Sequence, residues 1–224
     1  MKSRKIFTSL LTILFLTLIF SPATARSTNK SSKANKSTAH SKSKQEMIRH
    51  LDFMGVPING TISEFTSKLA TKGFKTTPNS LPVGVKTYSG RYYDNSAELF
   101  VYYIPNSKLV YRVKVVIGTY SESQCENLMM NILAALDRKY EENDVEQGEY
   151  EDRTAFSISV YDDKNGVRFS TGEDEVQEWF PQIGGIDLFI SYEPYSYDYD
   201  YRLFIDFYDA ENYGKYLEWR DSNI

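Results

Sequence analysis

Histidine and cysteine are nearly missing from this 224-residue chain, which holds two histidines, His40 and His50, and one cysteine, Cys125. A Ser-His-Asp constellation therefore lacks a base inside a folded core. One cysteine and two scattered histidines make a poor zinc ligand set. One cysteine cannot close an internal disulfide, so the domain must hold together by burial. Cys125 sits on an apolar helical stripe with Leu128, Met129, Ile132, Leu133 and Leu136; it reads as a small core residue rather than a nucleophile served by His50. No phosphate-cradling glycine loop is present, and Gly184-Gly185 reads as a turn leading into a strand. No metal or other cofactor is expected.

Acid is missing from the first part of the chain and outweighs base in the rest. Residues 1–44 contain nine of the 26 Lys and Arg and no acid, leaving 17 basic against 30 acidic residues in the remainder, a net −13. An acidic domain is a poor partner for phosphate backbones, so nucleic acid is excluded as a ligand. Within the basic part, Lys2, Arg4 and Lys5 precede an apolar run from Ile6 to Phe20, then Ser21, Pro22 and Ala23-Thr24-Ala25. This order of basic start, short apolar segment and small residues is that of a secretory signal peptide cut after Ala25. The run falls short of the roughly 20 residues that span a bilayer, and no later segment could cross one. Export to the periplasm or the extracellular space is expected, with no transmembrane segment in the mature chain. Residues 26–45, mostly Ser, Thr, Asn, Ala and Lys, offer nothing to bury and read as a disordered basic linker. Residues 46–224 are then long enough for a single globular domain.

Within that domain, Thr61-Ile62-Ser63-Glu64 is a capping box opening a helix on Ile62, Phe65 and Leu69, which Gly73 stops. A hairpin is expected from Glu98–Ile104 and Leu109–Ile117, and a second helix over 121–140. A second hairpin is expected to pair Ala155–Tyr161 with Val167–Phe169 across Asp163-Lys164-Asn165-Gly166. That turn resembles the start of a calcium loop but lacks the downstream Glu. A short helix around Glu175–Phe180 follows, then strands Ile186–Tyr192 and Tyr201–Tyr208 and a terminal helix over Glu211–Arg220.

A shift of 58 residues brings parts of the chain onto one another. Gly60-Thr61-Ile62-Ser63-Glu64 meets Gly118-Thr119-Tyr120-Ser121-Glu122, and the Gly90–Ala97 stretch meets Gly148–Ala155. The two helical stripes fall out of phase under the same shift. The expectation is an α+β fold: two tandem repeats of helix plus antiparallel strands, about 46–117 and 118–224, forming one curved sheet with helices on one face. Phe53-Met54-Gly55-Val56-Pro57-Ile58-Asn59-Gly60-Thr61, with Phe65, Lys68-Leu69 and Lys72-Gly73-Phe74, resembles the opening of a group of uncharacterised exported proteins of Bacteroides-like bacteria. The tandem architecture is similar to the β-lactamase inhibitor protein, a likeness that carries over no residue role.

Two stretches could carry function. Glu173, Asp174, Glu175 and Glu178 beside Trp179 could be an acid pair next to a sugar-stacking ring, or a solvated helix with Val176, Trp179 and Phe180 packed inward. Tyr192–Tyr201 sets Tyr195, Tyr197, Tyr199 and Tyr201 on one side of an extended segment, the candidate binding residues, since tyrosine gives rigid contact area with a polar tip. The reading that follows is a non-catalytic binding or inhibitor-like module of the bacterial cell envelope, with an envelope protein or glycan as partner. The alternative is a carboxylate-dependent glycan hydrolase.

Overall fold

In the computed structural model of the chain, three apolar residues of the Phe53–Thr61 motif are turned inward and a fourth, Met54, sits exposed in a turn. Asp52–Phe53 (β1) pairs with Val56–Pro57 (β2) across Met54 and Gly55. Their φ angles of 52° and 76° suit a two-residue hairpin turn. Phe53, Val56 and Ile58 are buried. Thr61 caps α1 (Ile62–Thr71), and both bonds of the capping box with Glu64 are formed. At the far end Gly73 takes a φ of 87°, and the N–H groups of Gly73 and Phe74 donate back to Ala70 and Leu69. These two bonds satisfy carbonyls that the helix end would otherwise orphan.

The structure describes residues 49–223 other than 79–80, 120, 141–142, 152, 163–166, 171–175 and 193–199. The further elements are β3 (Lys75–Thr77), β4 (Val85–Tyr92), β5 (Asn95–Tyr103), β6 (Val110–Thr119) and α2 (Glu122–Lys139). They are followed by β7 (Asn143–Tyr150), β8 (Arg153–Tyr161), β9 (Val167–Ser170), β10 (Val176–Trp179), β11 (Gln182–Tyr192), β12 (Tyr201–Asp209) and α3 (Ala210–Asp221). One eight-stranded antiparallel sheet has the order β3-β4-β5-β6-β12-β11-β8-β7. β3 to β6 follow one another in the first half; in the second, β8 lies beside β11, with β9 and β10 in a sheet of their own, and β12, the last strand in sequence, lies at the centre between β6 and β11. Among the described residues no helix is long and apolar enough to cross a membrane.

Strand alternation divides the side chains between two faces. Leu99, Val101, Val113, Val115, Ile158, Ile186, Leu188, Leu203, Ile205 and Phe207 point to the first face and join α1 and α2 in one core. Against them α2 sets Cys125, Met129, Ile132, Leu133 and Leu136. The second face carries Tyr102, Arg112, Lys114, Asp187, Phe189, Phe204, Asp206 and Tyr208, matched strand to strand by the register.

The α+β class and the single large sheet match the sequence expectation, with four corrections. Helices do not share one face. On α3, Tyr216 stacks on Tyr111 at 4.2 Å and Tyr213 packs on Tyr208 at 5.7 Å, so this helix covers one end of the second face. β8 does not form a hairpin with β9; it pairs β7 and β11, because its alternating Phe156, Ile158 and Val160 complete the core. β9 pairs instead with β10; within the segment expected as a helix around Glu175–Phe180, Val176–Trp179 form this strand, as pairing overrides local pattern. Gly184 and Gly185 lie inside β11 beside a register shift, where a Cβ would come within 2.4 Å and 2.2 Å of Tyr208 atoms. They are there for close strand approach.

Candidate functional site

Of the four candidate tyrosines, Tyr195, Tyr197 and Tyr199 lie outside the described residues, and so do Asp163-Lys164-Asn165-Gly166, Glu173, Asp174 and Glu175. Tyr201 opens β12 opposite Tyr192, the last residue of β11. Their rings are 5.0 Å apart. Tyr201 is half-buried against the core, whereas Tyr192 is 44% exposed.

Arg153, the first residue of β8, organises this end of the sheet. Its guanidinium lies 5.8 Å from the Tyr192 ring and 5.9 Å from the Tyr201 ring, in reach of a cation–π attraction to both. Nε donates to Glu122 in the first turn of α2 at 2.8 Å, and Nη1 donates to the Glu151 carbonyl at 3.2 Å. Ser191 donates to the Glu151 carboxylate at 3.1 Å. Four separate segments are thereby held in one arrangement. Beside it, between α2 and the strands, a cleft of about 260 Å³ is lined by Glu126, Asn127, Met129, Met130, Arg153, Thr154 and Ile190. Met130 is 50% exposed. The sequence signal for this cleft is the Met129-Met130 pair: one side chain faces the core and its neighbour, about 100° further round the helix, does not.

On the second face two carboxylates stand directly opposite, Asp187 on β11 and Asp206 on β12. Asp206 is buried and accepts two hydrogen bonds from Arg112, one of them from Nε at 2.6 Å, with Lys114 Nζ at 3.7 Å. The bond to Asp206 raises the Arg112 guanidinium further above its ordinary value, against its own desolvation. Asp187 accepts a bond from Ser157 at 2.7 Å. Burial nonetheless raises its carboxyl above the ordinary range, and the negative charge of Asp206 pushes the same way. The environments thus separate two neighbouring carboxyl groups, one ion-paired and one inclined to keep its proton.

An aromatic row adjoins this pair. Tyr150 lies 4.5 Å from Phe189, and Phe189 stacks on Phe204 at 5.0 Å and 10°. Lys114 Nζ sits 5.6 Å from the Phe204 centroid on the row's end. Phe189 and Phe204 spend a face each on one another, while Tyr150 at the other end of the row is 42% exposed.

Cys125 is fully buried in the core, and burial raises its thiol above the ordinary value. His50 is engaged elsewhere: its Nδ1 is 3.0 Å from Asp209, the buried cap of α3, which also accepts from the Leu51 and Asn212 N–H groups. This cluster fastens the start of the domain to its last helix. The chain matches no family model, no curated protein and no solved structure.

Proposed function

We propose that this chain is an exported, non-catalytic binding module of the bacterial cell envelope, inhibitor-like in that it acts by occupying a protein partner. The observation that carries the reading is the cleft beside Arg153. An exposed Met130 and an exposed Tyr192 flank a concavity whose charged centre is already fixed by Glu122, Tyr192 and Tyr201. Preorganised tyrosine with an adaptable methionine suits a contact that takes one apolar side chain of a partner. Glu122, Glu126 and Glu151 around a single arginine favour a partner with basic groups beside that side chain. The signal-peptide pattern supports export. The two hairpins also support a duplicated origin, since Gly90 pairs Ala97 and Gly148 pairs Ala155, each pair two residues from a two-residue turn.

The test is a defined set of surface variants. An envelope protein retained by the immobilised mature chain should be lost when Met130 and Tyr192 are both replaced by Ser. It should still be retained by Val83→Ser, which alters an exposed residue before β4. Equal retention by all three forms would sink this reading.

A glycan hydrolase is the second reading, and the Asp187–Asp206 pair is what favours it, since a carboxyl raised by burial stands beside one held by two cations, as a division of acid from base requires. Against it, Arg112 and Lys114 already engage both Asp206 oxygens. Release of reducing sugar from envelope glycan by the mature chain, abolished in Asp187→Asn, would decide for the enzyme.

A further inference from the structure

We propose that β7 is a docking edge for a basic, extended polypeptide segment of a partner, which adds to the sheet as a further strand. Among the described residues β7 is the terminal strand of the sheet, and it pairs β8 in unbroken register from Asn143↔Val160 to Tyr150↔Arg153. Natural sheets protect such an edge with charged side chains, lysine above all, or with proline, a bulge or brevity; β7 has only acids for this, which guard it against acidic strands and not against basic ones. The opposite edge does so: β3 is three residues long and begins with Lys75. β7 has eight residues, Asn-Asp-Val-Glu-Gln-Gly-Glu-Tyr, with no proline and no basic residue, and every one after Asn143 is exposed.

The register states which backbone groups are free. Tyr150 and Arg153 flank a two-residue turn, so they exchange hydrogen bonds, and so do alternate pairs behind them. Gly148, Glu146 and Asp144 thus bond to β8, while the N–H and C=O of Asn143, Val145, Gln147 and Glu149 point outward along the edge. Side chains alternate with them. Asp144 and Glu146 lie on one face, and Val145, 41% exposed, lies on the other. A strand laid on this edge meets Asp144 and Glu146 at its non-hydrogen-bonded positions, where side chains come closest. The occupant that fits carries Lys or Arg at alternate positions with an apolar residue between them.

Charge also separates this occupant from a second copy of the chain. Two β7 edges set together would bring Asp144, Glu146 and Glu149 of each against acids with no basic residue to offset them, and directly opposed like charges destabilise a pair. The net −13 of residues 45–224 repels a second copy at longer range as well.

The probe is an acetylated, amidated octapeptide of alternating Lys and Val, added to the mature protein and followed by amide exchange in NMR and by titration. Binding should slow exchange at Val145, Gln147 and Glu149 while leaving Asp144 and Glu146 unchanged. The matched Glu-Val peptide should not bind. Val145→Pro deletes one outward N–H at a position where an edge strand tolerates proline, and it should abolish binding with the fold intact. Should that variant unfold, Asp144→Lys with Glu146→Lys keeps the backbone and should weaken binding roughly tenfold. The proposal is overturned if the Lys-Val peptide does not bind, if the protected amides do not alternate, if the charge-reversed variant binds as tightly, or if sedimentation shows the free protein pairing with itself through this edge.

Discussion

Asp187 and Asp206 are opposite one another across two strands, yet their surroundings assign them different work. Asp206 holds two cations of β6 against β12, so it is a structural anion whose loss strands Arg112 and Lys114 on a half-covered face. Removing one partner of a buried ion pair costs about 3–5 kcal/mol; Arg112 keeps some contact with water, so Asp206→Asn should cost nearer 2 kcal/mol. Against its desolvation Asp187 has the Ser157 hydrogen bond and a weaker attraction to Arg112, and its charge opposes that of Asp206. Asp187→Asn should therefore leave stability unchanged or raise it at neutral pH. The pH dependence carries the sign. A carboxyl whose folded value is raised favours the fold while both states are protonated, and that contribution is lost as pH climbs through the folded value. Urea titrations from about pH 4 to 8 should show the advantage of Asp187→Asn over the parent growing with pH above the ordinary aspartate value near 3.9. An advantage that is flat or shrinks with pH would mean that Asp187 is not desolvated.

The elements differ in how far local sequence dictates them. α1 is written out in its own residues: Thr61 and Glu64 start it, Ile62, Phe65 and Leu69 face inward, and Gly73 ends it. The two β-rich arms around Pro105 form the expected hairpin for the same reason. Pairing of distant strands is another matter, because each register is chosen by a partner far along the chain. That β8 pairs β11 rather than β9 is not written in either strand, and four residues at Val176–Trp179 follow their neighbour rather than a helical pattern. The carboxylate pair lay within reach, since the expected strands 186–192 and 201–208, once turned on one another, oppose Asp187 and Asp206. The cleft beside Arg153 did not, because it depends on how α2 lies over β8 and β11. Two glycines show how alike sequences part at this scale. Gly90 and Gly148 hold the same place in their hairpins, but a Cβ at Gly90 would sit 2.3 Å from the Phe74 ring, whereas at Gly148 it meets nothing within 4 Å. Gly90→Ala should cost about 1–3 kcal/mol as overpacking, and Phe74→Leu in the same chain should recover part of it. Gly148→Ala should be neutral in the same thermal melts; a like loss at both positions would show that strand backbone, not the ring, is responsible.

At the scale of the whole molecule, β12 decides whether the two halves of the sheet can part. It comes last in sequence but pairs β6 along one side and β11 along the other, and Leu203, Ile205 and Phe207 are buried in the core that both halves share. Neither half can open without exposing this central strand, so unfolding should be a single cooperative event. The lone cysteine makes this measurable. Cys125 is fully buried on α2, which packs on β6, β11 and β12, so a thiol reagent reaches it only after opening. Leu99 lies on β5, in the other half, and is also fully buried. Leu99→Ala should cost about 2–5 kcal/mol. If opening is global, labelling of Cys125 should accelerate by the whole of that free energy, about thirtyfold or more for each 2 kcal/mol. Ile158→Ala, on β8 beyond β11, should give the same relation between lost stability and labelling rate. Labelling that responds to Ile158→Ala but ignores Leu99→Ala would mean that the halves unfold apart, with β12 staying on one of them.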